Sequence, residues 1–277
     1  FSADFRMLRP TDPSRGNHRL FFDILNRGRG PVLRNINSAP DVAASEPLNP
    51  GNGFLMREGY TVAYCGWQHD APDVLGSMRL YGPDAVMPDG PVSGKIVITL
   101  QLNAPSQVEF LSNRMHRAYP TVDPQDPDAV LTEQDDENAQ ERVIPRDQWS
   151  FSRPEDGQAV TDASYVNYPS GFIPGKVYQV IYTTSTAPIV GLGLLATRDC
   201  GSFLRYGTAQ QGNPCDGDIE HSYSFGVSQS GRFLRSLLYY GLNQDEADRT
   251  VFDGLIPHVG GGKQGEFNHR FAQASSQ

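Results

Sequence analysis

The run Phe225-Gly226-Val227-Ser228-Gln229-Ser230-Gly231 brings together residues able to do covalent chemistry. An apolar stretch, His221-Ser-Tyr-Ser-Phe-Gly-Val227, precedes it, and an amphipathic one, Arg232-Phe-Leu-Arg-Ser-Leu-Leu-Tyr-Tyr240, follows. That order predicts a buried strand, a sharp turn and a helix, with Ser228 at the turn. A serine in such a nucleophile elbow adopts a strained backbone conformation that lifts its hydroxyl above the sheet edge. The turn is tight, so the positions two before and two after must be small. Here they are Gly226 and Ser230, with Gly231 adding room. The more usual pattern has glycine where this chain has Ser230. The backbone N–H of Gln229, first in the helix, would point at the same spot and hold a developing oxyanion. A second donor is expected from the loop between Arg27 and Gly30. The chemistry is attack of the Ser228 hydroxyl on a carbonyl, giving an acyl-enzyme that water releases. The plain alternative is a serine that only caps the helix, since Ser is a favoured N-cap. Ser230 is the weaker nucleophile, because Arg232 would then stand where a small residue is needed.

A serine nucleophile needs a base, and the base needs an orienting acid. His258, after the next predicted strand, and His269, in the glycine-rich stretch beyond, are the candidate bases inside the chain. Glu266, Asn268 and His269 read equally well as groups that shape a long loop. His18, His69, His116 and His221 are weaker; His221 opens the strand at the edge away from Ser228. Trp67, Gln68 and Asp70 follow another strand whose carboxyl end faces the crevice where ligands bind in open α/β sheets. They could line a pocket, or Trp67 could fill core space. Arg235 is expected to pair with a surface carboxylate and Arg232 to brace the turn.

The elements that must position these residues follow an α/β order. His18 to Leu25 reads as a strand feeding the glycine loop Asn26-Arg-Gly-Arg-Gly30. Residues 31 to 52 are mostly polar and show no clear period. Gly53 to Gly59 is a short helical turn, followed by a strand from Tyr60 to Cys65 that is buried on both faces. Strand, short helix and strand in that order predict the start of a parallel sheet. Residues 90–175 differ. Lys95 to Leu102 is a strand, and short stretches follow between prolines. Residues 121–147 are acidic and read as a long solvated loop. Asp123, Asp126 and Asp128 are spaced as Ca²⁺ ligands could be, but the EF-hand glycine and distal Glu are missing. From 176 the α/β rhythm resumes with a strand from Val177 to Tyr182 and a helix from about Val190, despite Gly191, Gly193 and Gly201. Thr250 to Ile256 is the last strand. The expected organisation is therefore an N-terminal core segment (1–89), a β-rich insertion or cap that sets substrate choice (90–175), and a core segment carrying the elbow (176–277).

Composition narrows the function classes. The chain has 277 residues, 23 Lys and Arg against 32 Asp and Glu, and a formal charge of −9. With no clustered basic face, it is a poor binder of nucleic acid or an anionic membrane. The longest apolar run, Ala187 to Ala196, is too short to span a bilayer. Fourteen Phe and twelve Tyr argue for a packed core, while 28 Gly and 21 Pro argue for many loops. Three cysteines without a CxxC pattern give neither a disulfide scaffold nor a zinc site.

The segment Phe225-Gly-Val-Ser-Gln-Ser-Gly-Arg-Phe-Leu-Arg235 resembles the elbow of a family of α/β-hydrolase domain proteins whose substrates are largely unassigned. So do Gly53-Phe-Leu-Met with Gly59-Tyr-Thr-Val, Gly66-Trp-Gln68, Pro174-Gly175, Val190-Gly-Leu-Gly-Leu194 with Arg198-Asp199, and Gly265-Glu-Phe-Asn-His-Arg-Phe-Ala-Gln273. The resemblance implies an α/β-hydrolase-like fold: a mostly parallel sheet flanked by helices, with the β-rich insertion. It implies Ser228 as nucleophile, and the acyl-enzyme mechanism expected of that serine needs no metal or organic cofactor. Members of the family run beyond both ends of these 277 residues, so it also implies a fragment of a longer chain whose acid and histidine lie outside it. The expected reaction is hydrolysis of a small-molecule carboxylic ester. An amidase or acyltransferase using the same serine, and a non-catalytic binding module on the same fold, are the alternatives.

Overall fold

A computed structural model of the chain describes residues 1–40, 49–112 and 116–275. Residues 41–48 of the polar stretch expected to lack a period lie outside the described residues. Two compact units emerge: residues 1–83 with 189–277, and residues 84–188.

The first unit is built on a five-stranded sheet. Its strands are β1 (Phe5–Leu8), β2 (Arg19–Ile24), β3 (Thr61–Cys65), β4 (His221–Val227) and β5 (Gly254–His258). They lie in the order β5-β4-β2-β3-β1. The pairs β5–β4, β4–β2 and β2–β3 are parallel, and β1 joins β3 antiparallel at the edge. The expected parallel sheet is present. Strand β1 was not anticipated; it is short, half-exposed and irregular in pattern, as edge strands often are. The last strand falls at 254–258 rather than 250–256, because Val251 and Phe252 turn into the core below its start.

Both faces of the sheet are covered. Phe21, Phe22, Asp23 and Ile24 alternate sides along β2, yet all are buried. The α-helices among the described residues are α1 (Val32–Asn37), α2 (Phe54–Arg57), α3 (Leu192–Tyr206) and α4 (Gln229–Tyr239). The glycines of α3 have a packing reason. A Cβ on Gly193 would lie 2.1 Å from the carbonyl oxygen of Trp67, so only glycine lets this helix meet the loop after β3. No helix among the described residues is long and apolar enough to cross a membrane.

The second unit is antiparallel throughout its main sheet, with strands Arg142–Ile144, Val130–Gln134, Val177–Thr184 and Gly94–Gln101 in that order. Ile96, Ile98 and Leu100 alternate inward along the last of these. Two expectations are corrected here. Val177–Thr184, read as the return of the α/β core, is a central strand of this second sheet; periodicity marks a buried strand without saying which sheet holds it. The acidic stretch 121–147 is not a continuous solvated loop, because it contains strands Val130–Gln134 and Arg142–Ile144. Its polarity hides the strand. Glu133 is buried, but Lys176 Nζ (2.8 Å), Arg142 Nη2 (3.0 Å) and the Tyr178 hydroxyl (3.1 Å) all donate to its carboxylate. Burial pushes this carboxyl up, yet those donors outweigh it and hold the group below its ordinary value. The Asp123 and Asp126 carboxylates cap their own turns, accepting from the amides of Gln125 (2.8 Å) and Asp128 (2.9 Å).

Candidate functional site

Ser228 stands between β4 and α4 with φ 55° and ψ −111°. A non-glycine residue at such an angle costs about 1–3 kcal/mol and persists only where its surroundings enforce it. The enforcement is visible. A Cβ on Gly226 would lie 2.4 Å from the carbonyl oxygen of Ser230, and one on Gly231 would lie 2.8 Å from that of His258. The smallness of Gly226 and Gly231 is thus required by backbone contact. The Ser228 N–H donates to the His258 carbonyl at 2.9 Å, which extends the β4–β5 pairing one residue past the strand. The helix-cap alternative does not match: the Ser228 side chain makes no capping hydrogen bond. The side chain is half-buried rather than enclosed.

Ser230 occupies the place where glycine is usual, and the structure gives it a task. It is fully buried, and its hydroxyl accepts from the Val227 N–H (2.9 Å) and donates to the Val227 carbonyl (3.0 Å). The hydroxyl therefore clamps the turn from inside.

Gln229 begins α4, so its backbone N–H has no intrahelical acceptor. Its side chain is fully buried. The Oε1 atom accepts from the Arg27 N–H (3.2 Å), while Nε2 donates to Gln68 Oε1 (3.1 Å) and to the Ala274 carbonyl (2.5 Å). The loop after β2 is tied to the turn by a second bond, from Asn26 Nδ2 to the Val227 carbonyl (2.6 Å). Asn26 and Arg29 close that loop by bonding each other's backbone, at 2.7 and 3.1 Å. Its far end is held by Asp23, whose Oδ2 accepts from the Val32 N–H at 2.8 Å. Burial pushes the Asp23 carboxyl well above its ordinary value, and the Val32 bond offsets this only in part.

The residues after β3 turn inward rather than lining a pocket. Trp67 is 3% exposed, packs on Phe233 with ring centroids 4.2 Å apart, and donates from Nε1 to the Leu25 carbonyl at 2.7 Å. It fills core and steadies the start of the Asn26 loop. Gln68 and Asp70 are buried and bond each other, with Gln68 Nε2 donating to Asp70 Oδ1 at 2.6 Å.

The His258 ring is exposed and stacks on Phe225, with centroids 6.2 Å apart and planes 17° from parallel. His269 is exposed in the loop beyond. Among the described residues neither imidazole hydrogen-bonds to Ser228. Glu266 accepts from the Gln273 N–H at 2.9 Å, which is a loop-shaping role. His221 pairs with Asp253 (3.7 Å) at the opposite end of β4. Among the described residues Arg235 meets no carboxylate; its guanidinium donates to the Gly261 carbonyl. Among the described residues no cluster of His, Cys, Asp and Glu is arranged to hold a metal ion.

Sequence reasoning missed the amide chemistry around Ser228. Nothing in the residue pattern marks Asn26, Gln68 or the Gln229 side chain as partners, because they come from three separate segments. The one available signal was a large polar residue directly after the serine, at the buried start of a helix.

No curated protein and no solved structure matches the chain. The family resemblance read from the motifs has a counterpart in a direct comparison. Residues 158–277, which include β4, the Ser228 turn, α4 and β5, match the family model described as Alpha/beta hydrolase domain.

Proposed function

We propose that this protein is a serine hydrolase acting on a small-molecule carboxylic ester, with Ser228 as the nucleophile of an acyl-enzyme mechanism. The observation that carries this reading is the Ser228 backbone, φ 55° and ψ −111°, at a strand-to-helix turn within the segment that matches the hydrolase family. Strain of that kind at a half-buried serine serves to present a hydroxyl. In this reading the Ser228 oxygen attacks the ester carbonyl and its proton passes to a histidine. The Gln229 N–H stabilises the tetrahedral oxyanion, the alcohol leaves, and water then releases the acid. Within residues 1–277, His258 and His269 are the alternatives for that histidine. Amide cleavage or transfer to an alcohol would use the same serine and differ in leaving group and acceptor.

One observation favours a second reading, a binding module on the same fold: among the described residues neither the His258 nor the His269 imidazole hydrogen-bonds to Ser228, and the His258 ring lies over Phe225. Fluorophosphonate labelling of the native chain separates the two. An adduct on Ser228 that disappears in Ser228→Ala supports the hydrolase. A native chain that takes no label supports the binding module.

A further inference from the structure

We propose that the side chain of Gln229 is a positioning residue. It sets the Asn26–Arg29 loop over Ser228 through a one-directional chain of amides anchored on Asp70. This rests on the reading of Ser228 as the nucleophile and adds a role that reading does not contain.

The direction of the chain is fixed by chemistry. Asp70 is fully buried, and its two carboxylate oxygens face N–H donors: Oδ2 accepts from the Ser275 amide (3.0 Å) and Oδ1 from Gln68 Nε2 (2.6 Å). Gln68 must therefore turn its nitrogen to Asp70 and its oxygen the other way. That oxygen accepts from Gln229 Nε2 at 3.1 Å, and the second proton on the same nitrogen goes to the Ala274 carbonyl at 2.5 Å. Both Gln229 donors are engaged, so its oxygen must face the loop, where it accepts from the Arg27 N–H at 3.2 Å. Flipping either amide would set oxygen against oxygen at one end and N–H against N–H at the other. In a dry interior such a mismatch leaves buried groups unsatisfied.

The loop end of the chain is where positioning matters. Arg27 has φ 50°, a conformation that needs external support. Its N–H is engaged by Gln229 and that of Arg29 by the Asn26 carbonyl; Gly28 is buried against Ser77, and among the described residues the exposed Gly30 has no hydrogen-bond acceptor for its N–H, so Gly30 is the loop donor available to an oxyanion. Gln229 thus works twice. Its backbone N–H is one proposed oxyanion donor, and its side chain holds the loop that supplies the other. Displacing a reacting group by about 1 Å can cost about 100-fold in rate.

The test uses the native chain and its Gln229→Glu variant, which keeps shape but puts an oxygen where two donors stood. Two quantities are read. Hydrogen exchange at the Arg27 amide reports the loop; the fluorophosphonate rate constant, separated from probe affinity, reports the chemistry. The expected result is faster exchange at Arg27 and a rate constant lower by about 100-fold, with probe affinity little changed. If Gln229→Glu does not fold, Asp70→Asn carries the same two measurements, because an amide at 70 no longer dictates the orientation of Gln68. Unchanged exchange at Arg27, or an unchanged rate constant, in a folded variant overturns the positioning role alone. A wild-type chain that takes no label at Ser228 overturns the nucleophile reading and this role with it.

Discussion

The backbone N–H of Ser228 donates to the carbonyl of His258 across 2.9 Å. The contact places the serine turn and the end of β5 side by side, yet it joins them through main chain. The imidazole of His258 instead lies over Phe225. Removing the ring should therefore leave the turn intact. In His258→Ala the fluorophosphonate rate is expected to stay near that of the wild type. A general base contributes about 10²–10⁴-fold, so a loss of that size, measured by labelling kinetics, would make His258 the base.

Gly226 should not tolerate a methyl group. The added Cβ would meet the Ser230 carbonyl oxygen at 2.4 Å and its carbon at 2.6 Å, and both belong to main chain inside the turn. Overpacking costs about 1–3 kcal/mol, and a backbone clash belongs at the upper end. Urea denaturation of Gly226→Ala should show a lower midpoint with an unchanged slope. A wild-type midpoint would mean that the turn is looser than described.

Ser230→Ala separates the two serines of the motif. It removes both bonds to Val227 and leaves that N–H without its acceptor, at a cost of about 1–3 kcal/mol. The adduct should still form on Ser228. Loss of the adduct in a variant that remains folded would show that Ser230 takes part in the chemistry.

Asp23 predicts a stability difference that changes with pH. Its carboxyl is pushed up in the folded protein, chiefly by burial. The folded state then holds a proton that the unfolded state releases near pH 4, so the contribution of Asp23 falls as pH rises from there toward the folded value. Asp23→Asn lacks this loss. The melting temperature of the variant relative to wild type should rise as pH increases above about 4. A constant offset across that range would contradict the assignment.

Much of the first unit was legible because its strands are short apolar runs bounded by glycine and proline. Arg19–Ile24, Thr61–Cys65 and His221–Val227 each lie within such a run. The turn at Ser228 was legible because its geometry restricts residue size, and Gly226 and Gly231 record that restriction. What remained hidden depends on contacts distant in sequence. Glu133 sits in a strand because Lys176 and Arg142 reach it, and no window around residue 133 contains Lys176. Trp67 could equally have faced a ligand until Phe233 and Phe267 were found against its ring. The Gln229 side chain, joined to Arg27, Gln68 and Ala274, could not be read from its neighbours in the chain at all.

The decisive measurement is the intact mass of the native chain before and after a fluorophosphonate probe, with the adduct mapped by peptide. A single adduct on Ser228, absent in Ser228→Ala, is the expected result. A native chain that stays unlabelled, or that carries its adduct on another residue, would remove Ser228 from the role assigned to it.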